Sequence, residues 1–214
     1  MNRIVENGEP RSKEARRVRV LTSLPNLLTY ARILMVPALV AGFYLEGTTA
    51  NWTTFGIFTL AALTDYFDGY FARAWKQTSN LGRMLDPIAD KLLVSAALFM
   101  LVANGTISWG SVFAAIIILS REILVSGLRE FLAEVQVSVP VTELAKWKTA
   151  IQMIAIAFLL TGEAGETLIP GTQEIGIWLL WIAALLTLYT GYDYFRSGFR
   201  HVIKGDEDAD SADS

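Results

Sequence analysis

The sequence predicts an all-α polytopic membrane protein, a six-transmembrane-helix bundle with a basic interfacial segment at its N-terminus. Three observations lead there. The 214 residues are 53% hydrophobic and their mean hydropathy is +0.40, too apolar for an ordinary soluble domain. Six apolar runs, at about 24–45, 51–72, 83–103, 108–131, 146–164 and 174–195, approach the ~20 residues that take a helix across a ~30 Å hydrocarbon core. Their length and the lack of period-two alternation select helices over a barrel. The third observation is where the positive charge lies.

Arg3, Arg11, Lys13, Arg16, Arg17 and Arg19 precede the first run. Arg73, Lys76 and Arg83 flank the second connection, Arg129, Lys146 and Lys148 the fourth, and Arg196, Arg200 and Lys204 follow the last run. The connections around Gly47, Asn104 and Gly165 hold no Lys or Arg. This alternation puts both termini and the second and fourth connections in the cytoplasm. Three regions follow: a basic cytoplasmic or interfacial segment at 1–23, whose residues 10–20 are expected to lie on anionic lipid as an amphipathic stretch, a membrane domain at 24–203, and an acidic, disordered tail at 204–214. The net charge of −3 says little, because acids and bases are segregated. The absence of Cys excludes disulfides and thiolate chemistry.

The first run opens LPNLLTYAR, with Pro25 suited to a helix's first turn. Asn26, Thr29 and Arg32 recur every three residues along one drifting face. They form either a cap with a snorkelling arginine or the polar wall of a cavity, with Arg32 facing phosphate. Pro37 should bend this helix and widen a lateral opening. The second and third runs meet in DYFDGYFARAWKQTSNLGRMLDPIAD, residues 65–90. At about 100° per residue, Asp65, Asp68, Gly69 and Ala72 share one arc, and Gly82, Asp86 and Asp90 form a stripe on the next helix. Four converging carboxylates near a bilayer cannot neutralise one another, so a divalent cation is their natural counter-charge. Gly69 and Gly82 leave room for a ligand beside the acids. Lys91 follows Asp90 but points about 100° away, which suggests an interfacial lysine rather than a partner.

The fourth run ends LSREILVSGLREFLAE. Arg121 and Arg129 are two turns apart, and Glu122, Ser126 and Arg129 share an arc. An arginine within the membrane must face water, a carboxylate or an anion. The fifth run opens AKWKTAIQM. Its Lys146 and Lys148 are either positive-inside anchors or, with the arginines, a site for a phosphate monoester.

The pattern D-x-x-D-G-x-x-A-R-x8-G-x-x-x-D-x-x-x-D, filled at every fixed position, resembles the signature of the CDP-alcohol phosphatidyltransferases. The segments LPNLLTYAR, SREILVSGLREF and KWKTAIQM extend the resemblance over about 24–195, toward the branch that uses sn-glycerol 3-phosphate as acceptor. The resemblance implies transfer of the phosphatidyl group from CDP-diacylglycerol to that acceptor at the cytoplasmic face of a bacterial inner membrane. It implies two magnesium or manganese ions per site, held by Asp65, Asp68, Asp86 and Asp90, with Asp90 also the catalytic base. CDP-diacylglycerol would lie against Asp65, Asp68, Gly69, Ala72, Arg73, Gly82, Asn26 and Thr29. Glycerol phosphate would meet Arg32, Arg121, Arg129, Lys146 and Lys148. A homodimer in the bilayer is expected, and no nucleic-acid partner. Two other readings compete: a relative with another acceptor, such as phosphatidylglycerol in a cardiolipin synthase, and a divalent-cation transporter. The near absence of charge from the outer halves of the runs speaks against a transport route.

Overall fold

The computed structural model describes residues 24–75, 80–135 and 143–212, with side chains described for Asn26–Asp65, Met84–Val135 and most of Leu144–Arg196. The basic N-terminal segment expected at 1–23 lies outside them. Six helices make up the described residues: α1 (Leu24–Gly42), α2 (Gly47–Trp75), α3 (Asn80–Ala103), α4 (Trp109–Glu134), α5 (Glu143–Leu168) and α6 (Thr172–Ala212). The protein is an all-α membrane protein. Trp109–Glu134, Lys146–Leu168 and Thr172–Arg196 are long and apolar enough to cross a bilayer by themselves, and the apolar stretch Asn26–Gly42 is shorter. α2 and α3 are as long, but carry the charged residues of the site.

The distribution of residue types is that of a protein in lipid. Leu34, Phe99, Phe113, Ile123, Trp178 and Leu185 are exposed, whereas Asn26, Thr29, Arg32, Lys148 and Gln152 are buried. Water would penalise that outer surface, and hydrocarbon accepts it. The core beneath it gathers Leu39, Phe58, Leu93, Leu98, Ile118, Ile156, Leu159 and Leu180, with Ala61, Ala97, Ala183 and Ala184 where helices approach closely.

The helices pack as two groups. α1 lies against α2 and α3, and α6 against α4 and α5. The groups are joined mainly where α2 meets α5, and α3 makes only sparse contact with α4 and α5. Glycines set the closest approaches. A Cβ on Gly176 would stand 2.8 Å from Leu159 Cδ2, and one on Gly191 would stand 3.0 Å from Arg121 Cγ.

Several expected boundaries move. α5 was expected to end near 164, but it continues to Leu168 across a break at Gly162, whose φ of 49° only glycine adopts readily. Asn51 Nδ2 donates to the Leu160 carbonyl at 3.5 Å, helping to satisfy backbone beside this break. The tight α5–α6 turn is capped by Glu166, which accepts from the Gly171 and Gln173 amides at 2.7 and 3.0 Å. α6 runs on to Ala212, through residues expected to be an irregular tail. No proline follows Pro170 to stop it. The helices also continue through Pro37 and Pro87.

Candidate active site

The acids come from α2 and α3, and α1 ties both to itself. Asn26, Thr29 and Arg32, each 1% exposed, turn inward as one stripe. Thr29 Oγ1 donates to Asp86 Oδ1 at 2.5 Å, and Arg32 Nη1 pairs with Asp65 Oδ1 at 2.8 Å. A buried guanidinium is tolerable only beside such a carboxylate. Burial of all three and the Arg32–Asp65 pair do not fit a snorkelling arginine, and the structure sets Arg32 against a carboxylate. Arg32 stands with the acids, across from the other expected phosphate-binding cations.

Asp65 and Asp86 are close enough to repel each other, and Asp90 feels the like charge of Asp65 and Glu122. Among the described residues, no three acids or imidazoles form a group tight enough to hold a metal ion. The side chains at Asp68, Gly69, Ala72, Arg73 and Gly82 lie outside those described, so three of the four acids expected to hold metal are described. An oxygen-only donor set of mutually repelling carboxylates suits a hard divalent cation such as magnesium or manganese.

Asp90 also lines a second feature. A cavity of about 420 Å³ opens between α3, α4 and α5, bounded by Asp90, Lys91, Arg121, Glu122, Arg129 and Lys148 among others. That volume falls within the ~300–1,000 Å³ of small-molecule sites. Its cations are held in place. Lys148 pairs with Glu122, and Arg121 reaches Glu122 Oε1 at 3.4 Å and Thr190 Oγ1 at 3.3 Å. The Arg129 guanidinium carbon lies 5.7 Å from the centre of the Tyr194 ring, a cation–π contact. Gly191 leaves space for the Arg121 stem to cross α6.

Three of the five cations expected at the acceptor phosphate thus line one chamber. Lys146 is exposed and does not line it, and Arg32 is the fifth. Lys91 requires a correction. It is a wall residue bonded to Ser126 Oγ, not an interfacial lysine. The 100° offset from Asp90 turns it toward α4, which helical phase alone could not reveal. Glu122 was legible only as part of an arc, and its role as the common partner of Arg121 and Lys148 needed α5 in place. Thr149 also lines the chamber, and Gln152 lines a small recess adjoining it; neither stands out in charge patterning. Gln152 lies one turn beyond Lys148, and that i, i+4 spacing of polar residues in an apolar run was the available signal.

Residues 22–189 match the CDP-alcohol phosphatidyltransferase family. A Rickettsia felis protein named CDP-diacylglycerol–glycerol-3-phosphate 3-phosphatidyltransferase is 45% identical over 180 residues, covering 84% of this chain and 97% of the relative. A Rickettsia bellii protein of the same name is 46% identical over 180 residues, with the same coverage. One from Cereibacter sphaeroides is 39% identical over 214 aligned positions, again spanning 84% of this chain and 97% of the relative.

Proposed function

The chain belongs to the CDP-alcohol phosphatidyltransferase family, and on that premise we propose that it transfers the phosphatidyl group of CDP-diacylglycerol to sn-glycerol 3-phosphate. The products are phosphatidylglycerophosphate and CMP, in the synthesis of anionic phospholipid. The observation that supports this most directly is that Asp90 lines the same cavity as Arg121, Arg129 and Lys148. A carboxylate able to act as base and cations able to bind a phosphate monoester share one chamber. The names of the relatives point to the same pair of substrates.

In this reading the acceptor enters with its phosphate against Arg121, Arg129 and Lys148, whose charge a dianion needs in a site already rich in carboxylates. Lys146 adds positive potential at the rim. The 1-hydroxyl oxygen attacks the phosphorus that bears diacylglycerol, its proton passes to the Asp90 carboxylate, and the bond from that phosphorus to the bridging oxygen breaks. CMP leaves with the bridging oxygen. Asp65, Asp68, Asp86 and Asp90 would hold two magnesium or manganese ions, which offset charge on the pyrophosphate and the departing CMP. Thr29 holds Asp86 in orientation, and Arg32 holds Asp65. Gly69, Ala72 and Gly82 leave room for the cytidine, with Asn26 bordering it and Arg73 meeting a phosphate.

The chamber faces the cytoplasm of a bacterial inner membrane, where glycerol phosphate and cytidine nucleotides are found, and the diacyl tail stays in lipid. A homodimer is part of the proposal. The test is CMP release by purified protein given CDP-diacylglycerol and a panel of alcohols. Glycerol 3-phosphate should win, and only with a divalent cation present. Preference for phosphatidylglycerol or unphosphorylated glycerol would overturn the acceptor, and cation flux without CMP release would overturn the enzyme. Cysteine introduced at Thr48 should label from outside the cell and at Gln77 from inside; the reverse would refute the orientation.

A further inference from the structure

Beyond the basic chamber lies a smaller recess of about 50 Å³, lined by Asp90, Lys91, Ser95, Glu122, Thr149 and Gln152 together with apolar neighbours. Four of these residues, Asp90, Lys91, Glu122 and Thr149, also line the larger cavity. The recess continues the chamber past Asp90, away from Arg129. It has room for a hydroxyl-bearing carbon or a few waters, not for a whole substrate.

Gln152 is its notable side chain. The residue is 3% exposed, and its carboxamide oxygen has no hydrogen-bond partner among the described residues. A buried carbonyl oxygen without a donor is costly, so one that lines a cavity is normally satisfied by whatever fills it. Gln152 stands one turn from Lys148, a rise of about 6 Å along the axis. That matches the scale of a three-carbon phosphate ester. With the phosphate at the cations and the attacking hydroxyl at Asp90, one polar group of the acceptor is left over: the secondary hydroxyl on its central carbon.

We propose that Gln152 hydrogen-bonds this non-reacting secondary hydroxyl and is a specificity-determining residue for the polyol part of the acceptor. The proposal rests on the acceptor reading above and adds to it a discriminating contact. A hydroxyl donates to the Gln152 oxygen, while the neutral carboxamide adds no charge beside Asp90.

The experiment compares sn-glycerol 3-phosphate with 3-hydroxypropyl phosphate, which keeps the phosphate and primary hydroxyl but lacks the secondary one. Purified full-length protein and the Gln152→Met variant, similar in volume but without the amide, are assayed for CMP release with each. The unaltered protein should favour glycerol 3-phosphate by about tenfold in kcat/KM, the size of one hydrogen bond. Gln152→Met should lose that advantage on glycerol 3-phosphate alone and keep its rate on the deoxy analogue. Equal losses on both acceptors would mean that Gln152 is structural, and an undiminished preference would mean that the recess holds only water. Either overturns the proposal. If the variant does not fold, the unaltered protein still decides, because equal use of both acceptors refutes a contact to the secondary hydroxyl. If neither acceptor supports CMP release while another alcohol does, the acceptor reading itself has failed.

Discussion

The first three helices and the last three solve opposite electrostatic problems. α1–α3 bring Asp65, Asp86 and Asp90 together, with Arg32 as their buried counter-charge. α4–α6 bring Arg121, Arg129 and Lys148 together, with Glu122 as theirs. Each half keeps one residue of the opposite sign inside its own cluster, which offsets only part of that cluster's charge. α3 makes only sparse contact with α4 and α5, and the chamber lies between these three helices. A transferase that brings a cation-bound pyrophosphate to a phosphate-bearing alcohol needs this division. In the proposed reading the acids serve one substrate, the bases serve the other, and the seam between them is where the new bond forms.

The division can be broken from either side. The largest effect should come from Asp90→Asn, which keeps size and removes the base at the seam. Its kcat should fall by about 10²–10⁴-fold, the usual contribution of general base catalysis, while CDP-diacylglycerol still binds and circular dichroism stays helical. Activity near that of the unaltered protein would remove Asp90 from the mechanism. Next comes the basic half. Arg121→Gln should raise the acceptor KM by an amount equivalent to about 1.5–3 kcal/mol, the value of a charge-assisted bond. The KM for CDP-diacylglycerol should change far less, and an equal rise in both would erase the proposed separation of roles.

Thr29→Val tests the acidic half more gently. It removes the hydroxyl that orients Asp86, so the half-saturating manganese concentration should increase by about tenfold or slightly more, as for other groups behind a metal ligand. Saturating metal should recover most of the rate. An unchanged metal titration would show that the Thr29–Asp86 bond plays no part in cation binding. The smallest change should come from Gly191→Ala, which places a methyl 3.0 Å from the Arg121 stem. Steady-state kinetics should give a rise of about threefold in acceptor KM, or about 0.6 kcal/mol. No change at all would mean that Arg121 adjusts freely across α6.

The two halves were also unequally legible. The acids stood out because ionised groups in apolar runs are rare and because 3.6-residue phase put them on shared arcs. The clamp from α1 could be anticipated from the three-residue spacing of Asn26, Thr29 and Arg32, though not that Arg32 would choose Asp65. In the basic half, phase placed Arg121 and Arg129 but could not say which neighbour they faced. Lys91 shows the limit most clearly. Its angle relative to Asp90 was right, yet α4 occupies the direction expected to be the interface. Gln152 escaped because a neutral amide leaves no mark on charge patterning. The break at Gly162 escaped because glycine is equally at home in membrane-helix packing, and only its φ separates the two uses.

That break sits at the far end of the bundle from the charges. There Asn51 of α2 bonds to the Leu160 carbonyl of α5, and a Cβ on Gly162 would collide with the Asn51 amide. The two halves are therefore joined, through α2 and α5, at the end of the bundle away from the charges. From Asn51 to Asp65 is fourteen residues of helix, or about 21 Å at the usual rise. At that radius a rotation of about 3° moves the acids by about 1 Å relative to the bases. A displacement of that size is enough to change a reaction rate by about a hundredfold. A change of packing around Asn51 would therefore be felt, at the other end of the bundle, as a change in the distance between the acids and the bases.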